Sequence, residues 1–187
     1  MEEIFQIWND HLLKGIMLYT QLSNCMDFSN MHGYKRKFEY ESMEAFYTKK
    51  YFERYFINHY DKMLKDNNVE NINIIPNEYN VYKKDAITKD FKKQYIKESL
   101  SKVKKYYQDT IDFLNTAIKR AVEENRIQDV EIFKKQLECY DCRLKKINRH
   151  LIKLNDISYD INSIETFMQP DIHEKYKKKE EEFKWSF

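Results

Sequence analysis

Apolar side chains recur at alternating spacings of three and four along four long stretches of this chain, the period of helices with one buried face. From about Glu2 to Phe28 the stripe is Phe5, Trp8, Leu12, Tyr19, Leu22 and Met26. A short break at Ser29 to Gly33 follows, where Gly33 can supply a positive φ at little steric cost. The second stretch runs from about Tyr34 to Lys65, with the seam Tyr34, Phe38, Glu41, Ala45, Thr48, Phe52, Tyr55 and His59. The third runs from about Lys89 to Glu124 on Ile96, Leu100, Val103, Tyr107, Ile111, Leu114, Ile118 and Ala121. The fourth, about Ile127 to Asn155, has the most regular seam: Val130, Phe133, Leu137, Tyr140, Leu144, Ile147, Leu151 and Leu154. That spacing suits closely packed antiparallel helices.

The links differ in length. The first and third are tight, the third lying near Asn125. The second, which contains DNNVENINIIPNEYN with Pro76 inside it, covers roughly 20–25 residues and is long for a connection in a compact domain. A link of that length can carry the chain from one end of a bundle to the other. The pattern predicts two antiparallel hairpins joined by one long crossover. Residues 1–155 form this all-α four-helix bundle and residues 156–187 a C-terminal extension. The extension is read as a short helix before Pro170, then the charged stretch HEKYKKKEEEFKWSF as a terminal helix or a mobile tail.

Composition agrees. Two Gly and two Pro in 187 residues leave too little punctuation for a many-stranded β fold. The net charge of +2 gives no strong overall steering. No apolar run approaches the roughly 18 residues of a membrane span. The acidic, amphipathic start MEEIFQIWNDH is unlike a signal peptide, so a cytoplasmic protein with no membrane partner is expected. Three cysteines imply no disulfide framework.

Candidate chemistry is sparse. Cys139-x-x-Cys142 lies mid-helix with no second pair, which makes it a weak zinc or redox signal and favours two ordinary cysteines. No two of the five histidines stand four apart on one helix. The many tyrosines read as core packing with hydroxyls that need partners, or as a protein contact. Lys83 to Lys105 holds nine Lys against Asp85, Asp90 and Glu98. Lys83, Lys84, Lys92, Lys93, Lys104 and Lys105 are the candidate contacts to phosphates, although a solvated helix face explains such a run more simply. No phosphate loop, Gly-x-Ser-x-Gly or catalytic triad is present.

The segment LYTQLSNCMDFSNMHGYKRKFEYESMEAFYTKKYF, Leu18 to Phe52, resembles the ferritin family. Leu18-Tyr19, Gly33, Phe38 and the acidic run Glu39, Glu41, Glu44 fall in step with the end of that family's first helix and the start of its second. Ile72-x-Ile74-Ile75-Pro76 and AVEENRIQDVEIF resemble it more weakly. Short link, long link, short link is also how ferritin-like bundles are connected. The resemblance covers about residues 5–155 and implies a di-iron site, yet the chain contains no Glu-x-x-His. Carried over by position, the helix-one Glu falls at Leu12, the helix-two Glu and His at Ala45 and Thr48, the helix-three Glu near Tyr107, and the helix-four ligand at Tyr140 or Asp141. A one-residue slip brings in Glu44 and His11 without restoring Glu-x-x-His. The resemblance therefore implies a bundle that has lost its metal ligands together, since unpaired buried carboxylates are costly.

These readings predict a non-enzymatic, cofactor-free ferritin-like protein. It acts as a scaffold, interaction protein, regulator or inhibitor, through a protein partner or self-association. Phe183, Trp185 and Phe187 are candidate anchors, and the Lys-, Asn- and Ile-rich usage is compatible with a phage or mobile element. Two rivals stand beside it: a nucleic-acid-binding module on the Lys83–Lys105 stretch, and an atypical iron or manganese protein with ligands from Glu41, Glu44, His59 and Asp141.

Overall fold

The four apolar stripes become four helices. In the computed structural model, which describes residues 1–67 and 87–184 with side chains through Glu182, α1 spans Glu2–Phe28, α2 His32–Tyr60, α3 Lys89–Glu123 and α4 Ile127–Asp156. A fifth helical run follows, made of α5 (Ile161–Ser163), a π-helical turn (Ile164–Met168) and α6 (Gln169–Lys184). The described residues contain no strand.

All six residues of the α1 stripe are buried. On α3 the stripe holds except that Ala117 is buried and Ile118 only partly so. On α4 every second seam residue is fully inside: Phe133, Tyr140, Ile147 and Leu154. Leu137, Leu144 and Leu151 pack against the core from its margin. The α2 seam departs from expectation in its second half. Burial follows Ala45, Lys49, Phe52 and Phe56, while Thr48 and Tyr55 are half-buried and His59 is exposed. Lys49 can turn inward because its ammonium pairs with Glu53 and, at 2.7 Å, with Asp66.

Two hairpin links close without glycine. Asn30 and Asn125 take the left-handed conformation, at φ 57° and 54°. In each case the next residue's N–H reaches back into the last turn: Met31 to the Met26 carbonyl and Arg126 to the Ala121 carbonyl, both at 2.8 Å. This is the closure that asparagine tolerates best after glycine. Gly33 does not carry a positive φ. Its small size matters instead, because a Cβ there would overlap the backbone carbonyl of Gln169. Gly15 similarly leaves room for the Tyr106 hydroxyl, which donates to the His11 carbonyl at 3.2 Å.

Contacts fix the helix directions. The start of α1 meets the end of α2, through Phe5 and Phe56 at 5.4 Å. It also meets the start of α4, through Phe5 and Phe133 at 5.0 Å. His11 bonds Thr110 of α3 at 2.7 Å, and Tyr34 of α2 bonds His150 of α4 at 2.6 Å. Hence α1 and α4 run one way, and α2 and α3 the other. After α2, residues 62–67 turn back along α1: Lys62 pairs with Glu2, the Lys65 N–H donates to Gln6 at 3.0 Å, and Asn67 donates to Asp10 at 2.8 Å. The rest of the sequence-predicted crossover, residues 68–86, lies outside the described residues.

The C-terminal run does not stop at Pro170. Proline lacks an N–H and crowds the carbonyl four residues before it. The preceding turn widens to the π form, with the Gln169 N–H bonded to the Ile164 carbonyl. The helix then continues, packed on α2. The Gln169 side chain caps the otherwise uncapped start of α2, accepting from the Gly33 N–H at 2.5 Å and the Tyr34 N–H at 3.3 Å. Tyr176 packs on Tyr40 with ring centres 5.6 Å apart.

Candidate functional site

Four of the five positions assigned to lost ligands are in the core. Leu12, Ala45, Tyr107 and Tyr140 are buried, and the Tyr107 and Tyr140 rings lie 5.9 Å apart edge to face. Trp8 closes on Tyr140 at 6.2 Å. Thr48 is the exception. It stands half-buried, and its hydroxyl donates to the Glu44 carbonyl of its own helix at 2.8 Å. The α2 periodicity turns Lys49 inward in its place.

Beside this aromatic packing lies an ion-pair network that joins α2 to α4. Arg143 donates through one guanidinium nitrogen to Glu41 at 2.8 Å and through the other to Glu44 at 3.1 Å. The Tyr107 hydroxyl donates to the same Glu41 oxygen at 3.3 Å, and the guanidinium lies over the Tyr140 ring at 5.1 Å. Burial would push the Glu41 carboxyl up, but Arg143, with Lys37 and Lys179, holds it below the usual carboxylate range. Glu44 is displaced upward by its own burial and by the nearby Glu41. Burial works against the Arg143 charge, yet the two carboxylates overcome it and keep the guanidinium firmly protonated. A charge buried in this way is tolerated only when paired and hydrogen-bonded, as it is here.

The sequence places Glu41 on the seam but does not by itself mark Arg143 as its partner. A signal for it existed: a carboxylate inside an aromatic seam requires a cation, and Arg143 follows Tyr140 by three residues on the same helix face.

The network forms one wall of a cavity of about 460 Å³ between α2, α4 and α6. Lys37, Lys146, Arg149, Lys153, Lys175 and Lys179 line it. None of these six makes an ion pair within the described residues. Three rest on aromatic faces instead: Lys37 over Phe38 at 4.7 Å, Lys179 over Tyr40 at 4.8 Å, and Lys175 over Tyr176 at 5.8 Å. Burial draws the Lys37 ammonium below its ordinary range. Partial desolvation, although the side chain is largely exposed, and the adjacent Lys179 do the same to Lys175. Ile147, Ile172 and Tyr176 add apolar wall. Cys139 and Cys142 are free, exposed thiols on its α4 side.

The other sequence-predicted sites do not assemble. His59 and Asp141 are exposed and do not join Glu41 and Glu44. Among the described residues no group of three or more His, Cys, Asp or Glu side chains could hold a metal ion. Lys92 is neutralised by Glu165 at 2.6 Å, while Lys93, Lys104 and Lys105 are exposed on α3. Lys83, Lys84, Trp185, Phe187 and the side chain of Phe183 lie outside the described residues. No helix among the described residues is long and apolar enough to cross a membrane. Comparisons of the chain with protein-family models, with curated proteins and with solved structures return no match.

Proposed function

We propose that the protein is a ferritin-like bundle that has exchanged a metal centre for an ion-pair core and works by binding rather than catalysis. Two features support the ferritin-like reading. The helices run up, down, down, up, and residues 62–67 start back along α1, as a long crossover between α2 and α3 requires. The observation that carries the functional reading is Arg143. Its guanidinium lies between two carboxylates of α2, supplying inside the bundle the positive charge that a metal ion would supply. With Tyr107 and Tyr140 packed beside it, the donor set is one cation, two satisfied carboxylates and phenols. That set suits a permanent structural bridge and lacks the open ligands of a catalytic metal centre.

The binding face is the α2–α4–α6 cleft, where six cations that form no ion pair among the described residues converge on a chain that is nearly neutral overall. Local charge of this kind raises the concentration of an anionic partner at the cleft. The protein then acts as a regulator or inhibitor by sequestering or presenting what it binds. A second reading is a protein contact on the outer face of α2, favoured by Phe46 and Tyr51, which are 43% and 55% exposed. A nucleic-acid module on α3 has less support, because Lys92 is already paired.

Adding Fe(II) in air to the purified protein tests the non-catalytic reading. Iron should oxidise no faster than in buffer, and none should remain bound after desalting. Stoichiometric iron that is lost on Glu41→Ala would overturn it.

A further inference from the structure

The α2–α4–α6 cleft also has the chemistry to identify its ligand class. We infer that it binds a small molecule carrying two or more linked phosphates on an apolar or aromatic body, a ligand of nucleoside di- or triphosphate size. This inference rests on the reading of the cleft as the binding face.

Size is the first ground. About 460 Å³ lies within the range of small-molecule sites, and the space is concave, with helices on three sides. A polynucleotide needs a track of cations along an extended surface, whereas these cations gather around one concavity. Charge is the second. Six Lys or Arg side chains without ion pairs repel one another around one cavity, and a single carboxylate would neutralise too few of them. Linked phosphates bring several charges within a few ångströms. Arg149 can fork two phosphate oxygens while the lysines act as mobile point charges. The inner wall cancels only part of this attraction, because Arg143 offsets one of the two carboxylates, Glu41 and Glu44, and one net negative charge is left to face six cations.

The apolar wall is the third ground. Ile147, Ile172 and Tyr176 lie on the same cavity as the cations. A bare inorganic polyphosphate would leave this wall unused, whereas a base or similar planar body would cover it. The α2 and α4 elements are held apart by the Arg143 bridge at one level and the Tyr34–His150 hydrogen bond at another. The cavity is therefore framed before any ligand arrives, which reduces the ordering needed on binding.

The test is calorimetric titration of the full chain with ATP, tripolyphosphate, polyglutamate and a short oligothymidylate at low and moderate salt. The partner variants are Lys153→Glu/Lys175→Glu in the cleft and Lys104→Glu/Lys105→Glu on α3. All four side chains are exposed, so both variants should fold, and melting curves would verify it. ATP should bind with one site per chain, more tightly than tripolyphosphate. The cleft variant should weaken ATP by about tenfold or more, and the α3 variant should leave it unchanged. Equal loss in both variants would mean unspecific surface charge and would overturn the inference. If polyglutamate or oligothymidylate bound through the cleft while ATP did not, the ligand class would be wrong but the cleft would remain the binding face. If none of the four probes bound, both the ligand class and the cleft as an anion site would fall.

Discussion

The Arg143 guanidinium donates to Glu41 at 2.8 Å across the interior, joining α4 to α2 over 102 positions of sequence. It also holds Glu44, and Tyr107 completes the shell around Glu41. Removing the cation takes away the ion-pair partner of a buried carboxylate and leaves it the Tyr107 hydrogen bond and the more distant Lys37 and Lys179. Arg143→Ala should therefore lower stability by about 3–5 kcal/mol in urea unfolding. Replacing Arg143 and Glu41 together with apolar groups, as in Arg143→Leu/Glu41→Leu, should recover much of that loss, because the remaining carboxylate, Glu44, has partial access to water. A single Arg143→Ala variant as stable as the parent would show that the bridge is incidental.

Gln169 and Gly33 provide a second check, on the C-terminal helix. The Gln169 side chain caps α2, and its backbone carbonyl occupies the space that a side chain at position 33 would need. Gly33→Ala should cost about 1–3 kcal/mol through overpacking. It should also loosen α6, read as faster amide exchange over residues 169–182 than over α1. Gln169→Ala removes the cap and the weak contact of its amide with the Met31 sulfur, without overpacking, and should cost about 1 kcal/mol.

Two buried histidines set an acid dependence. His11 is held near a pKa of about 4 by burial and then by Lys14. His150 is held at about 4 by burial and then by Lys37, Lys153 and Lys175. The unfolded chain takes up these protons near pH 6.5, before the folded protein does. Stability from the pair is thus complete above pH 6.5 and lost as pH falls toward 4, by up to about 3 kcal/mol for each histidine. Urea midpoints across that window should fall steeply with acid. In His11→Asn/His150→Gln they should fall less. An unchanged slope in the double variant would show that other groups set the acid dependence.

Lys49 makes a narrower prediction. Its buried ammonium is held by Glu53 and Asp66, so α2 is tied to the segment that follows it. Lys49→Met should be tolerated better than Asp66→Ala, because the second leaves the buried cation with one partner fewer. Thermal melts of the two variants would rank them, and the reverse order would contradict the pairing.

The helices were legible because each carries a long stripe at spacings of three and four, and the two tight links coincide with Asn30 and Asn125. The α2 seam holds at Phe52 and departs from expectation at Thr48 and His59, because Lys49 reads as a surface residue until its two carboxylates are brought to it by the fold. Pro170 looks like a helix end in the sequence, since the π turn that absorbs it leaves no mark in the spacing of apolar residues. The cleft was invisible for a different reason. Lys37, Arg149 and Lys175 come from three helices, and only packing shows that they face one cavity. The ion-pair core was half visible: Glu41 interrupts an aromatic seam, and such a residue demands a partner that spacing alone cannot assign.

The most direct measurement is elemental analysis across the peak from a sizing column, on protein purified without chelator. A metal-free peak is predicted, because Arg143 already supplies the charge between Glu41 and Glu44. One or two irons per chain, retained through the column, would contradict the proposed exchange of a metal centre for an ion pair.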